Sequence, residues 1–187
     1  WSYYSMWFLK DNPKARVICG EPDPINIELG KANMKLNDFE LNKHAVFYSI
    51  ASGFETGKKI SFKTEAGKSI IVPIKSVDSI IADEKLNMVD ILHFDIQGAE
   101  LDTLHGAKAS IKAGKIRFVF ISTHHYSISE DPIIHQRCVD FIKSNGGNIV
   151  ANHGILESCS GDGLIVASFD SRDKDFTVDV TLQPTED

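Results

Sequence analysis

The sequence has few cysteines, and their spacing argues against a fold that depends on disulfides. Cys19, Cys138 and Cys159 are the three cysteines in 187 residues, and no two of them form a CxxC pair. An odd number of widely separated thiols is more typical of inert side chains in a reducing compartment than of a disulfide framework. We therefore expect a cytoplasmic protein without structural disulfides.

Long apolar runs and an excess of basic residues are also missing. No apolar stretch approaches the roughly 20 residues that a membrane-spanning helix needs. The net charge of −6 offers no basic surface for nucleic acid and disfavours attraction to anionic membranes. The sequence thus predicts neither a nucleic-acid partner nor a membrane span.

Several well-known catalytic and phosphate-binding signatures are absent. The sequence contains no GxGxxG, no GxxxxGK[ST], no HExxH and no GxSxG. Histidines and acids follow several predicted strands and could gather a metal, but their spacing is not diagnostic. We therefore predict no metal site.

The composition is that of an ordinary globular domain. Hydrophobic residues make up 42% of the chain and charged residues 25%, as in typical globular proteins. A length of 187 residues suits one domain with a sizeable core better than two. We predict a single domain over residues 1–187, with a loosely held charged tail from residue 170.

Short apolar runs alternate with helical patterns along the chain. The segments predicted to be helical are WSYYSMWFL, EPDPINIELGKANMKLN, SVDSIIADE with a cap at Ser76, GAELDTLHGAKASIKAG and EDPIIHQRCVDFIKSNGG. The segments predicted to be strands are ARVICG, HAVFYSIAS, MVDILHFDI, KIRFVFIST, NIVANHG and DGLIVASFD. The alternating stretch GKKISFKTEAGKSIIVPIKS predicts a β-hairpin.

This order of elements predicts an α/β fold with an open, mostly parallel sheet. The last two strands have no helix between them, which favours an antiparallel pair at one edge. In such sheets ligands bind beyond the carboxyl ends of the strands. Polar residues at those ends are therefore the candidates for a functional site.

Glu21 follows the strand RVICG and is the first such candidate. A carboxylate at this position can accept hydrogen bonds from the two vicinal hydroxyls of a ribose, as an adenosine cofactor would require. Alternatively, Glu21 is an acid at a helix start, where the helix dipole favours negative charge.

The stretch HFDIQGAE, residues 93–100, places further polar residues after an apolar strand. Asp95 can orient an amine or hydroxyl, and Gly98 permits a tight turn close to a ligand. Glu100 either caps the following helix or points into the site. The alternative for both acids is helix capping and surface charge.

His124 and His125 end the next strand, in STHHYS. Their side chains point in opposite directions if the backbone is extended, so one of them would face the site. A histidine there could act as a general base near neutral pH, or it could be a hydrogen-bonded structural residue. We favour structural roles for His135 and His153.

Small polar residues precede the last predicted strand, in HGILESCSGDGLIV. This segment either closes over a substrate or is a plain polar loop. The residues that could contact a substrate are Glu157, Ser158, Ser160 and Asp162.

Together these segments resemble the FkbM-type family of S-adenosylmethionine-dependent methyltransferases. The matching pieces are GEPDPINIELGKANMKLN, FYSIASG, VDILHFDIQGAELDTLHGA and IRFVFISTHH, which stand in the family's order within residues 1–125. The D-x-E-G-x-E signature followed by LxGA, and EPxPxN with Asn33 and Asn37 near the helix end, carry the resemblance. The segment SGDGLIVASF is similar to one branch of the family.

The resemblance implies a class I methyltransferase fold, which is a Rossmann-like, seven-stranded, mostly parallel open sheet with an antiparallel edge hairpin. It implies that Glu21 holds the cofactor ribose, that Ala51 and Ser52 lie near adenine, and that Asp95 lies near the transferring methyl. The other residues that we assign to the cofactor site are Pro22, Gln97 and Tyr3. Glu100, Glu157 and Ser160 are the candidates for substrate contacts.

Two departures from the family pattern affect these expectations. Gln97 replaces the family's usual glutamate, so the negative charge at this position of the signature is lost. The family's first strand and its D-x-G-A-N-x-G loop do not precede WSYYS, and Ser2 stands where the second glycine would be. We therefore expect the native chain to be longer at its N-terminus and this domain to be N-terminally truncated.

The expected function is methyl transfer from S-adenosyl-L-methionine to a hydroxyl of a sugar or another small molecule. His124 or His125 is the candidate base, with Asp95 as the alternative. The alternative functions are an inactive methyltransferase-like binding domain and a metal-dependent hydrolase that uses Asp95, a histidine and Glu157. A homodimer is a further expectation, because core exposed by a missing strand could drive pairing.

Overall fold

A computed structural model describes residues 2–158 and 160–182 of the chain. Cys159 lies outside the described residues, as do residues 183–187 of the predicted tail. The chain divides into two compact units. The first consists of Trp1–Ala51 and Thr56–Lys75, and the second of Ser52–Glu55 and Ser76–Asp187.

The first unit contains a pair of parallel strands, two helices and a hairpin. Its elements in chain order are α1 (Tyr3–Asp11), β1 (Val17–Glu21), α2 (Pro24–Leu36), β2 (Ala45–Ser49), β3 (Ala51–Ser52), β4 (Lys59–Lys63) and β5 (Ser69–Lys75). β1 and β2 pair in parallel, with Glu21 opposite Ser49. β4 and β5 form the predicted antiparallel hairpin, and β3 lies beside β5.

The core of the first unit is small and lies against α1, α2 and β2. Leu9, Met34 and Ala45 are fully buried there and pack with Met6 and Phe47. One face of α1 instead carries the exposed aromatic rings of Tyr3, Tyr4 and Trp7, and the Tyr3 ring contacts the other two.

The second unit is a four-stranded mixed sheet with helices. Its elements in chain order are α3 (Val77–Asp83), β6 (Val89–Asp95), α4 (Glu100–His105), α5 (Lys108–Lys112), β7 (Ile116–Thr123), α6 (Tyr126–Ser129), α7 (Ile134–Ser144), β8 (Asn148–His153) and β9 (Gly163–Ser168). The strand order is β6-β7-β9-β8. β6 and β7 are parallel, whereas β9 runs antiparallel to both β7 and β8.

Both faces of this sheet bury apolar side chains. Successive side chains of β7 point to opposite faces, and both sets include apolar residues. Val119 and Ile121 belong to the larger core, together with apolar residues of α3, α4, α5 and α7. Phe118 and Phe120 face a smaller cluster that includes Val180. The antiparallel edge pair, β8 with β9, confirms the sequence prediction.

The helix predicted over GAELDTLHGAKASIKAG is wrong in its continuity, because α4 ends at His105 and α5 begins at Lys108. Gly106 stands at the break. A Cβ at this position would lie 2.3 Å from the carbonyl oxygen of Gly53, so the chain passes too close here for any side chain. α6 was not predicted, and α7 begins at Ile134, later than its predicted start.

The described part of the C-terminal tail contacts the sheet. Arg117 donates from Nε and Nη2 to the two carboxylate oxygens of Asp173, over 2.9 and 2.8 Å. Further along, Val178 N–H donates to the carbonyl of Val150 over 2.9 Å. The mixed α/β class is confirmed, and the continuous Rossmann-like open sheet stays a prediction.

Candidate active site

Three strand ends of the second unit bring polar side chains together around His124. β6 ends at Asp95 and the parallel strand β7 ends at Thr123, so Asp95 and His124 leave the sheet at the same edge. The antiparallel strand β9 begins there with Gly163 opposite Thr123, and Asp162 precedes it. The topology therefore gathers residues that are 67 positions apart in the sequence, from Asp95 to Asp162.

His124 is buried, and both nitrogens of its ring are next to carboxylates. Nδ1 lies 2.7 Å from Glu100 Oε1, and Nε2 lies 3.1 Å from Asp95 Oδ1. Since a carboxylate can only accept, each short contact calls for a proton on the ring nitrogen. The geometry is therefore that of an imidazolium held between two carboxylates.

The electrostatics of the cluster agree with this arrangement. The hydrogen bond to Asp95, and then that to Glu100, raise the pKa of His124 to about 10. The same contact with His124 lowers the pKa of Asp95, because it stabilises the ionised carboxylate. At neutral pH, His124 is charged and Asp95 is ionised.

Asp162 is the third carboxylate near His124, and it comes from the polar loop before β9. Its Oδ1 lies 3.9 Å from His124 Nε2. The loop is organised by its own serines: Ser158 Oγ lies 2.8 Å from Ser160 Oγ, and Ser160 Oγ accepts from Asp162 N–H. Ser160 is exposed, and the substrate contact predicted for it stays a prediction.

A strained turn joins Asp95 to Glu100. Gln97 has a φ of +53° and Gly98 a φ of +106°, both in the left-handed region. A Cβ at Gly98 would lie 2.7 Å from the Cα of Ser129 in α6. A glycine is therefore required at position 98 for two reasons: the positive φ of the backbone and the close approach of α6.

Glu100 is the first residue of α4 and is fully buried, with 0% of its surface exposed. Besides His124 it contacts the turn before it, because its Oε1 accepts from Gly98 N–H over 3.0 Å. Its surroundings are therefore protein atoms of the turn and of His124. The substrate contact that the sequence suggested for Glu100 stays a prediction.

His125 lies away from this cluster, as the opposite directions of the two histidines predict. It is exposed and caps α6: its Nδ1 accepts from Ser127 N–H over 3.3 Å and lies 3.0 Å from Ser127 Oγ. Its ring stacks at a tilt on Tyr126, with 4.3 Å between centroids.

His135 and Glu157, two further residues of the second unit that the sequence singled out, make hydrogen bonds within that unit. His135 bridges two strands, with Nδ1 2.7 Å from Thr123 Oγ1 and Nε2 3.0 Å from Asn152 Oδ1. Glu157 accepts from Gly154 N–H over 2.6 Å and so caps a single 3₁₀ turn, Ile155–Glu157. Within residues 2–158 and 160–182, no group of three His, Cys, Asp or Glu side chains is arranged to hold a metal ion.

In the first unit, Glu21 ends β1 and is half-buried. Its Oε1 accepts from Asp23 N–H over 2.8 Å, which bends the chain around Pro22. Burial raises the pKa of Glu21, and the hydrogen bond from Asp23 offsets part of that rise. A partly desolvated carboxylate at a parallel strand end is chemically suited to paired hydroxyl donors.

Asp23 is a buried residue whose role the sequence reasoning missed. Its Oδ1 caps α2 by accepting from Ile25 N–H over 2.9 Å, and its Oδ2 accepts from Glu65 N–H over 3.1 Å. One carboxylate thus joins the start of α2 to the tip of the β4–β5 hairpin. The pair Asp23-Pro24 is the usual signal of an N-cap followed by a first-turn proline, and could have identified the cap.

The other residues predicted to contact a cofactor lie in different parts of their units. Ala51 and Ser52 form β3 and are half-buried, and Pro22 is half-buried beside Glu21. Tyr3 is 65% exposed at the start of α1, and Gln97 is exposed in its turn. Their roles stay predictions.

Comparison with known proteins identifies the family. A family model described as a methyltransferase FkbM domain matches residues 1–149. The chain belongs to the FkbM methyltransferase family. This confirms the resemblance that the D-x-E-G-x-E-like stretch suggested.

A solved FkbM structure has a similar fold. It is the crystal structure of methyltransferase FkbM from Methylobacillus flagellatus KT, with a TM-score of 0.65 and 20% sequence identity. The match covers 89% of this chain and 40% of that chain, so this chain spans less than half the length of the FkbM structure. No curated protein matches the chain. Among the described helices of this FkbM family member, none is long and apolar enough to cross a membrane.

Proposed function

We propose that this FkbM family member is an S-adenosylmethionine-dependent methyltransferase that methylates a hydroxyl group of a sugar or small-molecule acceptor. The observation that carries the proposal is the ordered cluster at Asp95, within the stretch that matches the family signature. Asp95 Oδ1 lies 3.1 Å from the buried His124, and 54% of the Asp95 side chain is exposed. A carboxylate that is fixed on one side and open on the other can orient a bound polar group.

The cofactor roles follow from the chemistry of the residues at the strand ends. Glu21 would accept hydrogen bonds from the ribose hydroxyls, with Ala51 and Ser52 beside the adenine and Asp95 near the methionine part. When bound, S-adenosylmethionine supplies a methyl group that is activated by its positive sulfur. The carboxylates of Asp95 and Asp162 suit this charge.

Asp95 is the residue that we assign to the acceptor hydroxyl. Both ring nitrogens of His124 face carboxylates, so this ring has no free lone pair for a base. Nδ1 of His125 accepts from Ser127 N–H, so the other nitrogen of a neutral His125 ring carries the proton. Asp95 stays ionised and can receive the hydroxyl proton while it orients the acceptor oxygen. Ser160, in the loop that carries Asp162, would contact the acceptor.

The first test is a calorimetric titration of adenosylhomocysteine into the chain and into Glu21→Ala and Asp95→Ala. We expect saturable binding that weakens about 10–100-fold in Glu21→Ala, because a charged acceptor of two hydrogen bonds is lost. Asp95→Ala should also weaken binding. Glu28→Ala is the control, since Glu28 is exposed and pairs with Lys31 on α2.

The second test measures transfer of a labelled methyl group to a panel of sugars and small alcohols. Alanine at the true base should lower turnover about 10²–10⁴-fold while adenosylhomocysteine still binds. Loss of turnover in Asp95→Asn supports Asp95 as the base. If instead His124→Ala alone loses turnover, with Asp95→Asn active, the base is His124.

A binding domain without activity is the second candidate function, and Gln97 is the observation that favours it. Gln97 stands in an exposed, left-handed turn where the family has a glutamate. Binding of adenosylhomocysteine without transfer to any acceptor, in the chain and in Gln97→Glu alike, would favour this candidate. Transfer that appears only in Gln97→Glu would show that the missing charge is the cause.

A further inference from the structure

Glu100 is buried and belongs to the same cluster as Asp95 and His124. It is fully buried at the first position of α4. Its Oε1 is shared between Gly98 N–H at 3.0 Å and His124 Nδ1 at 2.7 Å. These contacts link Glu100 to the open end of the sheet through the turn and through His124.

The burial of Glu100 is costly for folding. Its second oxygen, Oε2, is buried and has no hydrogen-bond partner among the described residues. A buried carboxylate that is only partly hydrogen-bonded is less favourable than an apolar side chain of similar size. A feature that lowers stability in this way calls for an explanation in the function of the site.

The contacts form a line from α4 to the open edge of the sheet. Glu100 fixes Nδ1 of the His124 ring, and the opposite nitrogen, Nε2, faces Asp95 Oδ1 at 3.1 Å. Because an imidazole ring is rigid, fixing one nitrogen also sets the direction of the other. Only 5% of His124 is exposed, so the packing around the ring supports the same orientation.

We propose that Glu100 is a positioning residue that acts through His124 to hold the Asp95 carboxylate at the carboxyl end of β6. Glu100 keeps the ring oriented and charged, and the charged ring keeps Asp95 ionised and in place. The role of Asp95 toward the acceptor rests on the proposed function, but the protonation of the His124 ring does not. The two can therefore be tested separately.

The titratable groups around His124 and its carboxylate partners come from four parts of the second unit. The closest are Asp95 from β6, Glu100 from α4 and Asp162 from the loop before β9. Burial lowers the pKa of His93, two residues before Asp95, and the nearby Asp95 carboxylate offsets part of that fall. Cys138 from α7 is buried near Glu100 with its pKa raised to about 12, so it stays a neutral thiol.

The first experiment follows the seven histidine rings by NMR in the unmodified chain as the pH is varied from 5.5 to about 8.5. His124→Gln assigns the His124 signals by their loss. We expect the His124 ring to remain protonated over this range, because it lies between two carboxylates. A His124 ring that deprotonates near the ordinary value of about 6.5 would overturn the proposal, whether or not the chain is an active enzyme.

The second experiment compares Glu100→Gln with Glu40→Gln, which removes an exposed carboxylate that pairs with Lys43 in the first unit. Glu100→Gln should lower the pKa of His124 by about one unit or more, which is a tenfold or greater weakening of proton binding. Glu40→Gln should leave the His124 titration unchanged. If Glu100→Gln lowers the melting temperature without changing that titration, Glu100 is only structural and the proposal fails.

The rate of methyl transfer provides a second readout. In Glu100→Gln, turnover should decrease as the pH rises through the lowered pKa of His124, because an uncharged ring no longer holds Asp95. The unmodified chain should show no such decrease below about pH 9. If Glu100→Gln does not fold, Asp95→Asn serves instead, since it should lower the His124 pKa from the other side of the ring. An unchanged His124 titration in Asp95→Asn would contradict the line of contacts.

Discussion

At the residue scale, the turn between Asp95 and Glu100 depends on one glycine. Gly98 has a φ of +106°, and a Cβ there would lie 2.7 Å from the Cα of Ser129. We expect Gly98→Ala to lower the free energy of unfolding by more than the roughly 1–2 kcal/mol that a left-handed alanine costs by itself, because α6 must also move. Urea denaturation measures the difference.

Gly114→Ala is the matched control for this prediction. Gly114 also has a positive φ, of +66°, but a Cβ there meets nothing within 4 Å. It should therefore show only the cost of the backbone conformation. Equal losses in the two variants would mean that the approach of α6 to Gly98 contributes nothing.

Glu21 leads to a prediction about the pH dependence of cofactor binding. Burial raises its pKa, so it loses its charge at a higher pH than an ordinary glutamate does. The affinity for adenosylhomocysteine should fall as the pH is lowered from 7 to about 5, as Glu21 takes up a proton. Asp95 adds nothing in this range, because its pKa is lowered.

Calorimetry at several pH values tests this prediction, with Glu21→Gln as the comparison. Glu21→Gln should bind adenosylhomocysteine more weakly at pH 7, and its affinity should not decline further toward pH 5. A decline that persists in Glu21→Gln would assign the titration to another group.

The sequence predicted the positions of Asp95 and His124 because both directly follow apolar strands, and parallel strands end at one edge. It could not predict that Glu100 is buried or that Asp162 approaches His124. The approach of Asp162 depends on the antiparallel register of β9 against β7, which periodicity does not specify. The burial of Glu100 depends on its contacts with the turn at Gly98 and with His124. The protonation of His124 depends on its hydrogen bonds with Asp95 and Glu100, which raise its pKa.

At the element scale, strands and the hairpin were predicted more accurately than helix boundaries. The hairpin was predictable because alternation and a glycine turn are local signals. The break between α4 and α5 was not predictable. It coincides with a close approach of Gly53 to Gly106, two residues that are distant in the sequence. The sequence on both sides of Gly106 has a helical pattern, so the sequence alone predicts one continuous helix. The break becomes visible only when the spatial neighbours of Gly106 are known.

Asp23 joins two elements, and this leads to a prediction about local opening. In Asp23→Ala, the amides of both Ile25 and Glu65 should exchange faster with solvent, because both donate to the lost carboxylate. The loss of the cap alone should cost about 0.5–2 kcal/mol at the start of α2.

Hydrogen-exchange NMR resolves the two amides, and Ser76→Ala is the comparison. Ser76 caps α3 by accepting from Ser79 N–H over 3.2 Å. That variant should speed exchange at α3 and leave Ile25 and Glu65 unchanged. If only Ile25 responds in Asp23→Ala, Asp23 caps α2 without holding the hairpin.

At the scale of the whole molecule, the His124 cluster should shape the dependence of stability on pH. The pKa of His124 is raised to about 10 in the folded chain, against about 6.5 when unfolded. The stability gained from its protonation is fully present below about pH 6.5 and is lost as the pH rises through about 10.

Melting temperatures between pH 6 and 10 check this prediction. The unmodified chain should lose stability over this interval more steeply than His124→Gln does, because the variant lacks the titrating ring. Parallel curves for the two proteins would show that His124 is not protonated preferentially in the folded state.

The exposed aromatic face of α1 has a consequence for spectroscopy. The two tryptophans of the sequence are Trp1 and Trp7, and Trp7 is 59% exposed in the folded chain. Tryptophan fluorescence therefore reports on the amino-terminal end alone. Because Trp7 is exposed, it should emit at long wavelength even before denaturation. A tryptophan placed at Phe141, which is buried in the second unit beside His105, would provide an optical signal from the unit that contains the His124 cluster.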